Sequence, residues 1–233
     1  MALYDLALLG SGLEFDAVTA SPCAFDKVPG KDWVCAIWYR STSEVYAQVF
    51  SVDTTTGAIA ALGSPIDLEG GTAAERGGLN IFAIDSSNAV VAWSSVSTNL
   101  KTQLLSINGS GSLSTNGSAT TITTSGRFPS MMLWDSTHII CGWRSSGVKV
   151  QMATLNTGAG TITAAGSPLQ LPQATGSARD VSFAKLSSSK CLIAYAGDNS
   201  TVPSWVCTVS IDGSYNVTNI TNAYFSPASN INA

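Results

Sequence analysis

Charge is scarce in this chain. Of its 233 residues only 11% are charged, 11 of them basic and 15 acidic, and there is a single histidine. A net charge of −4 without any basic cluster argues against nucleic acid as a partner, because neutralising a phosphate backbone takes grouped Lys and Arg. The five cysteines, Cys23, Cys35, Cys141, Cys191 and Cys207, are odd in number and show no C-x-x-C spacing. Neither a zinc site nor a disulfide framework is indicated, and they read as small buried hydrophobes on strands. No stretch approaches the roughly 18 apolar residues of a membrane span, so no membrane insertion is expected. The opening MALYDLALLGSGLEF has no basic n-region and is broken by Asp5, so it does not read as a signal peptide.

The chemistry of a reaction centre is equally thin. His138, in DSTHII, reads as a polar turn residue, and no G-x-S-x-G elbow accompanies it. Acidic residues are scattered singly, and DSSN and DSTH look like Asx-type turns rather than calcium loops. The glycine-rich stretch from Gly109 to Ser118 carries no Lys, which argues against a phosphate loop. The expectation is therefore no catalytic residue, no metal, no cofactor and no enzymatic activity.

What the chain does contain is repetition. AALGSPIDL (Ala60 to Leu68) and TAAGSPLQL (Thr163 to Leu171) are near copies 103 positions apart. Short apolar runs end in an aromatic at Trp38, Trp93, Trp143 and Tyr195, at steps of 55, 50 and 52. A second anchor follows each: SVD to Asp53, SIN to Asn108, TLN to Asn156 and SID to Asp212. Another apolar run precedes each aromatic run, and a Gly turn with a further run follows each anchor. Each unit thus holds four short β-type runs, A to D, separated by Gly, Ser, Asn and Asp turns.

Four-stranded units repeating at this length predict an all-β fold, a β-propeller of four complete blades. The runner-up, a pair of β-sandwiches, does not require the same pattern four times. The expected blades cover about 22–70, 72–125, 129–172 and 177–226, in a single domain over 1–233. Residues 3–20 match only the C and D runs, an N-terminal half blade. The ring is then four-bladed with an added hairpin, five-bladed with a thin blade, or completed by another subunit.

The unit, an apolar A run, a B run ending in an aromatic, then S-I-D-G and a D run carrying GSP, resembles the propeller repeats of phage and environmental-bacterial surface proteins. It is also loosely similar to propeller lectins of the tachylectin type, mainly in size. That resemblance implies a virion or cell-surface role, with attachment to a glycan or protein partner and no catalysis. A purely structural, self-assembling subunit and a soluble lectin are the alternatives. It transfers no individual binding residue.

One constellation carries a binding expectation. Arg76, Arg127 and Arg179 precede run A in three successive units, each followed 16 or 17 residues later by Trp93, Trp143 or Tyr195. An antiparallel meander puts the start of A and the end of B on one rim. In the first unit Arg40 follows Trp38 instead. Two readings stand: the aromatics are core and the Arg residues tie neighbouring blades, or the pairs line shallow pockets for sugar. For assembly, the apolar residues Leu6, Leu8, Leu13 and Phe15 of the half blade are the candidates, since an open strand edge invites pairing and makes an oligomer the expectation. If the last B–C turn is centred near Asn199, Cys191 and Cys207 sit opposite one another, although a reduced pair is expected in a cytosolically made protein.

Overall fold

The computed structural model describes residues 21–40, 44–69, 78–95, 99–171, 179–196 and 204–225. The half blade at 3–20 lies outside them. The described residues form four antiparallel four-stranded sheets and no helix. The first holds β1 (Ser21–Lys27), β2 (Trp33–Tyr39), β3 (Val45–Val52) and β4 (Ile59–Asp67). The second holds β5 (Leu79–Ala83), β6 (Asn88–Ser94), β7 (Leu100–Ile107) and β8 (Leu113–Thr123). The third holds β9 (Arg127–Asp135), β10 (His138–Arg144), β11 (Val148–Asn156) and β12 (Thr161–Gln170). The fourth holds β13 (Arg179–Lys185), β14 (Lys190–Ala196), β15 (Ser204–Ile211) and β16 (Val217–Phe225).

Each sheet is a simple meander in chain order. The first strands pack beside one another, β1 on β5, β5 on β9 and β9 on β13, and the last three share the wall of a cavity on the axis they surround. These are blades of a β-propeller.

Middle strands of the second and third sheets are apolar on both faces because each of those sheets packs between two others. Val45, Ala47 and Val49 pack against Ile81, Val91 and Trp93 of the second sheet. Val90, Leu100 and Leu104 pack against Ile139, Cys141 and Trp143 of the third. Ile140, Val150 and Met152 pack against Val181, Ile193 and Tyr195 of the fourth. The aromatic is the sixth residue of each seven-residue second strand, so period-2 alternation gives all four the same face, which for Trp93, Trp143 and Tyr195 packs on the preceding sheet.

The second sequence anchor is a turn device. Asn156 ends its third strand and Asp53, Asn108 and Asp212 directly follow theirs, and each accepts a backbone N–H two or three residues on, at 2.8 or 2.9 Å. The GSP copies are explained by the outer strand. Gly63 and Gly166, and Gly117 in the second sheet, have φ of 71°, 67° and 77°. A side chain is disfavoured there by backbone geometry and by the next sheet's third turn, which touches each glycine.

Candidate functional site

Two rims differ in chemistry. On one, the third turn of each sheet and the first turns of the second and third sheets close with Asx geometry. His138 sits there, 9% exposed, with Nδ1 2.9 Å from Asp135 Oδ1. The Tyr215 ring of the fourth sheet stacks on the imidazole at 3.5 Å, and its hydroxyl donates to Asp135 Oδ2 at 3.4 Å. Partial burial opposes ionisation of Asp135, but bonds from Thr137 and His138 outweigh it and hold the carboxyl below its ordinary range. The cluster locks the third sheet to the fourth.

The other rim carries the ends of the second strands and the starts of the first. Arg127 opens β9 and is the cross-strand partner of Arg144, the last residue of β10. Together with Ser125 and Ser145 they line a polar cleft of about 220 Å³. No acidic side chain is among its described lining residues. Beside it opens a cavity of about 410 Å³ on the central axis, whose wall includes Gly78, Asn80, Phe128, Ser130 and Ser182. Phe128 joins the two: it lines the axial cavity, and the Arg144 guanidinium lies over its ring, 5.8 Å from the centroid. Its φ of 51° is a left-handed conformation unusual for an aromatic residue, and such strain concentrates at functional positions.

The four aromatics singled out in the sequence are core. Trp38, Trp93 and Trp143 are 0–1% exposed and Tyr195 2%, so none offers a ring face to a sugar, and the stacking pocket gives way to the packing reading. Arg40 reaches along its own sheet, donating from Nη1 to the Tyr46 hydroxyl at 3.2 Å. The Arg179 backbone pairs with Ala196, which puts it on the same rim. Its side chain, Arg76, and the assembly candidates Leu6, Leu8, Leu13 and Phe15 lie outside the described residues. Arg127 alone of the three leading arginines is described within a cavity wall. Phe128 and Arg144 adjoin the predicted pair Arg127 and Trp143, but nothing in their spacing repeats, so periodicity could not find them.

The cysteine register also differs from expectation. Cys191 faces Val209 and Cys207 faces Ile193, so the two thiols are offset rather than opposed. All five cysteines are free. The hairpin is centred one residue later than Asn199, and a one-place shift of centre moves every cross-strand partner by two.

No protein-family model matches the chain, and no curated protein matches it. Solved structures do. The periplasmic gluconolactonase of Pseudomonas aeruginosa superposes with a TM-score of 0.65 at 14% identity, over 89% of this chain and 58% of that one. The α-L-arabinofuranosidase of Fusarium graminearum, solved with an iminosugar inhibitor, gives 0.53 at 10% identity, over 87% and 65%. The Aleuria aurantia lectin, solved with Fucα1-6GlcNAc, gives 0.54 at 10% identity, over 95% and 67%. The chain spans little more than half the length of the gluconolactonase it resembles. At these identities the likeness shows the propeller fold. It also overturns one expectation: enzymes as well as a lectin are built this way, so scattered acids and a lone histidine do not exclude catalysis.

Proposed function

We propose that this propeller binds a carbohydrate at the rim formed by Arg127, Phe128, Arg144 and Ser145, between the second and third sheets and the axial cavity. The observation that carries it is the junction at Phe128. A partly exposed aromatic ring stands between a cavity of about 410 Å³ and a polar cleft of about 220 Å³. Sugars are bound by an apolar ring against C–H faces and by directional donors to hydroxyls, and both are present. Propellers of similar fold include the lectin solved with a fucosyl disaccharide and the two sugar-active enzymes. The low charge and the resemblance to surface repeats support presentation of this rim on a virion or cell surface. Self-association through residues 3–20 belongs to the same proposal, and deleting residues 1–20 should abolish assembly while leaving a folded protein.

Saturation-transfer NMR against a panel of neutral and acidic monosaccharides and disaccharides tests the binding reading. Signal transfer that disappears in Phe128→Ala and Arg144→Ala, with an unchanged fold, supports it. A panel with no transfer at millimolar ligand overturns it.

A further inference from the structure

The boundary between the first and second sheets shows what this rim is built to hold. Glu69, just past β4, is buried with its side chain 0% exposed. Its carboxylate accepts hydrogen bonds from Trp93 Nε1 and Ser95 Oγ, and from Lys101 Nζ at 3.0 Å.

All three donors recur one sheet further on. Trp143 occupies the strand position of Trp93, and Ser145 follows it by two residues as Ser95 follows Trp93. Lys149 is the cross-strand partner of Trp143, as Lys101 is of Trp93. The acid does not recur. Leu68 bonds to the first residue of β3, and Thr123 pairs with the first residue of β7, so Thr124, which is exposed, holds the chain position that corresponds to Glu69. The consequence is visible: Trp143 is 1% exposed, and its Nε1 is a buried donor with no acceptor among the described residues.

That indole edge lies under the cleft. A Cβ on Gly126 would come within 3.0 Å of Trp143 Cδ1, the atom bonded to Nε1, and Gly126 is flanked by Ser125 and Arg127 of the cleft wall. The buried indole N–H and the cleft lined by two guanidiniums and two hydroxyls therefore adjoin at Gly126, at the boundary equivalent to the one where Glu69 sits. Guanidinium matches the planar fork of a carboxylate better than it matches any neutral sugar group.

We infer that the ligand supplies the missing carboxylate: the cleft takes an acidic sugar of the uronic-acid class, its carboxylate on Arg127, Arg144, Ser145 and the Trp143 N–H. This rests on the carbohydrate reading above and names its substrate class.

The test uses calorimetry or NMR titration of the full chain with methyl α-D-glucuronide, methyl α-D-glucoside, acetate and inorganic phosphate. The glucuronide is expected to bind at least tenfold tighter than the glucoside and to weaken with salt. Thr124→Glu should install the acid that Glu69 provides next door. It is expected to raise the thermal midpoint and to weaken glucuronide binding at least tenfold, while Thr124→Gln does less of both. Equal affinity for glucoside and glucuronide overturns the carboxylate inference and leaves the carbohydrate reading standing. Phosphate or acetate binding as tightly as the glucuronide overturns the uronic-acid assignment. If neither sugar binds, both readings fail. Thr124→Glu that changes neither midpoint nor affinity overturns the correspondence with Glu69.

Discussion

The side-chain amide of Gln151 donates to the backbone carbonyl of Gly166 at 2.6 Å, from the fourth residue of the third strand to the bulge of the outer strand. Gln48 does the same to Gly63 at 2.7 Å and Gln103 to Gly117 at 2.9 Å. In all three sheets the cross-strand register slips at that glutamine. The fourth sheet has Cys207 at the corresponding place, and its slip falls between Thr208 and Val209 instead. A buried amide thus terminates what the bulge leaves open, and the bulge docks onto the next sheet.

Replacing Gln103 by Leu should leave the Gly117 carbonyl without its donor at a part-buried site. The expected cost is about 0.5–1.5 kcal/mol, read as a fall of about 2–4 °C in thermal midpoint per kcal/mol for a domain of this size. Gly117→Ala should cost more, because its Cβ would stand 1.9 Å from the Gly160 carbonyl oxygen, a backbone atom that cannot swing away. A Gly117→Ala protein that melts with the wild type would refute the bulge-docking account.

Glu69→Ala should orphan the Trp93 N–H and the Ser95 hydroxyl in the same stroke, about 1–3 kcal/mol for each buried donor. Lys101 is 28% exposed and can turn to water. Glu69→Gln keeps an acceptor and is expected to be the milder change. Denaturant titration of the two variants orders them, and the reverse order would contradict the network.

Three aspartates predict an acid limb of stability. The Thr55 N–H, then Thr56, hold the Asp53 carboxyl below its ordinary value, and the Asn216 side chain and N–H do so for Asp212. Asp135 is lowered as well. A carboxyl depressed in the folded state stabilises above its unfolded pKa of about 3.9, and that stabilisation is lost as pH falls through the lower folded value. Asn108 and Asn156 do the same work without titrating. The double variant Asp53→Asn, Asp212→Asn should therefore show a shallower loss of thermal midpoint below pH about 4. A slope identical to wild type would show that these turns do not contribute.

Four thiols should be silent in the native protein. Burial pushes Cys35 and Cys141 up to about 12 and Cys191 and Cys207 up to about 11, with nearby Asp26 adding to Cys35 and Cys191 to Cys207. Cys23 is exposed. Alkylation at pH 8 followed by intact mass should add one group to native protein and five in denaturant. Two or more native adducts would mean that the sheets open readily.

The repeat, the strand type and the turn chemistry were legible in the amino-acid order because they are local. Alternation, Asx turns and left-handed glycines are set by a residue and its near neighbours, and each is written four times or three. Trp38, Trp93, Trp143 and Tyr195 could be placed in equivalent positions on that basis. Their surroundings could not. Whether an aromatic at the end of a strand faces water or a neighbouring sheet depends on the next blade, about fifty residues away. The offset of Cys191 from Cys207 turns on a one-residue shift of a hairpin centre, which no pattern of apolar residues specifies. Glu69 meets Trp93, and Phe128 meets Arg144, only because separate strands converge on one rim. Those contacts hang on side-chain identity at single positions, which a period averages away, so the blades were decided by sequence and the cleft between them by packing.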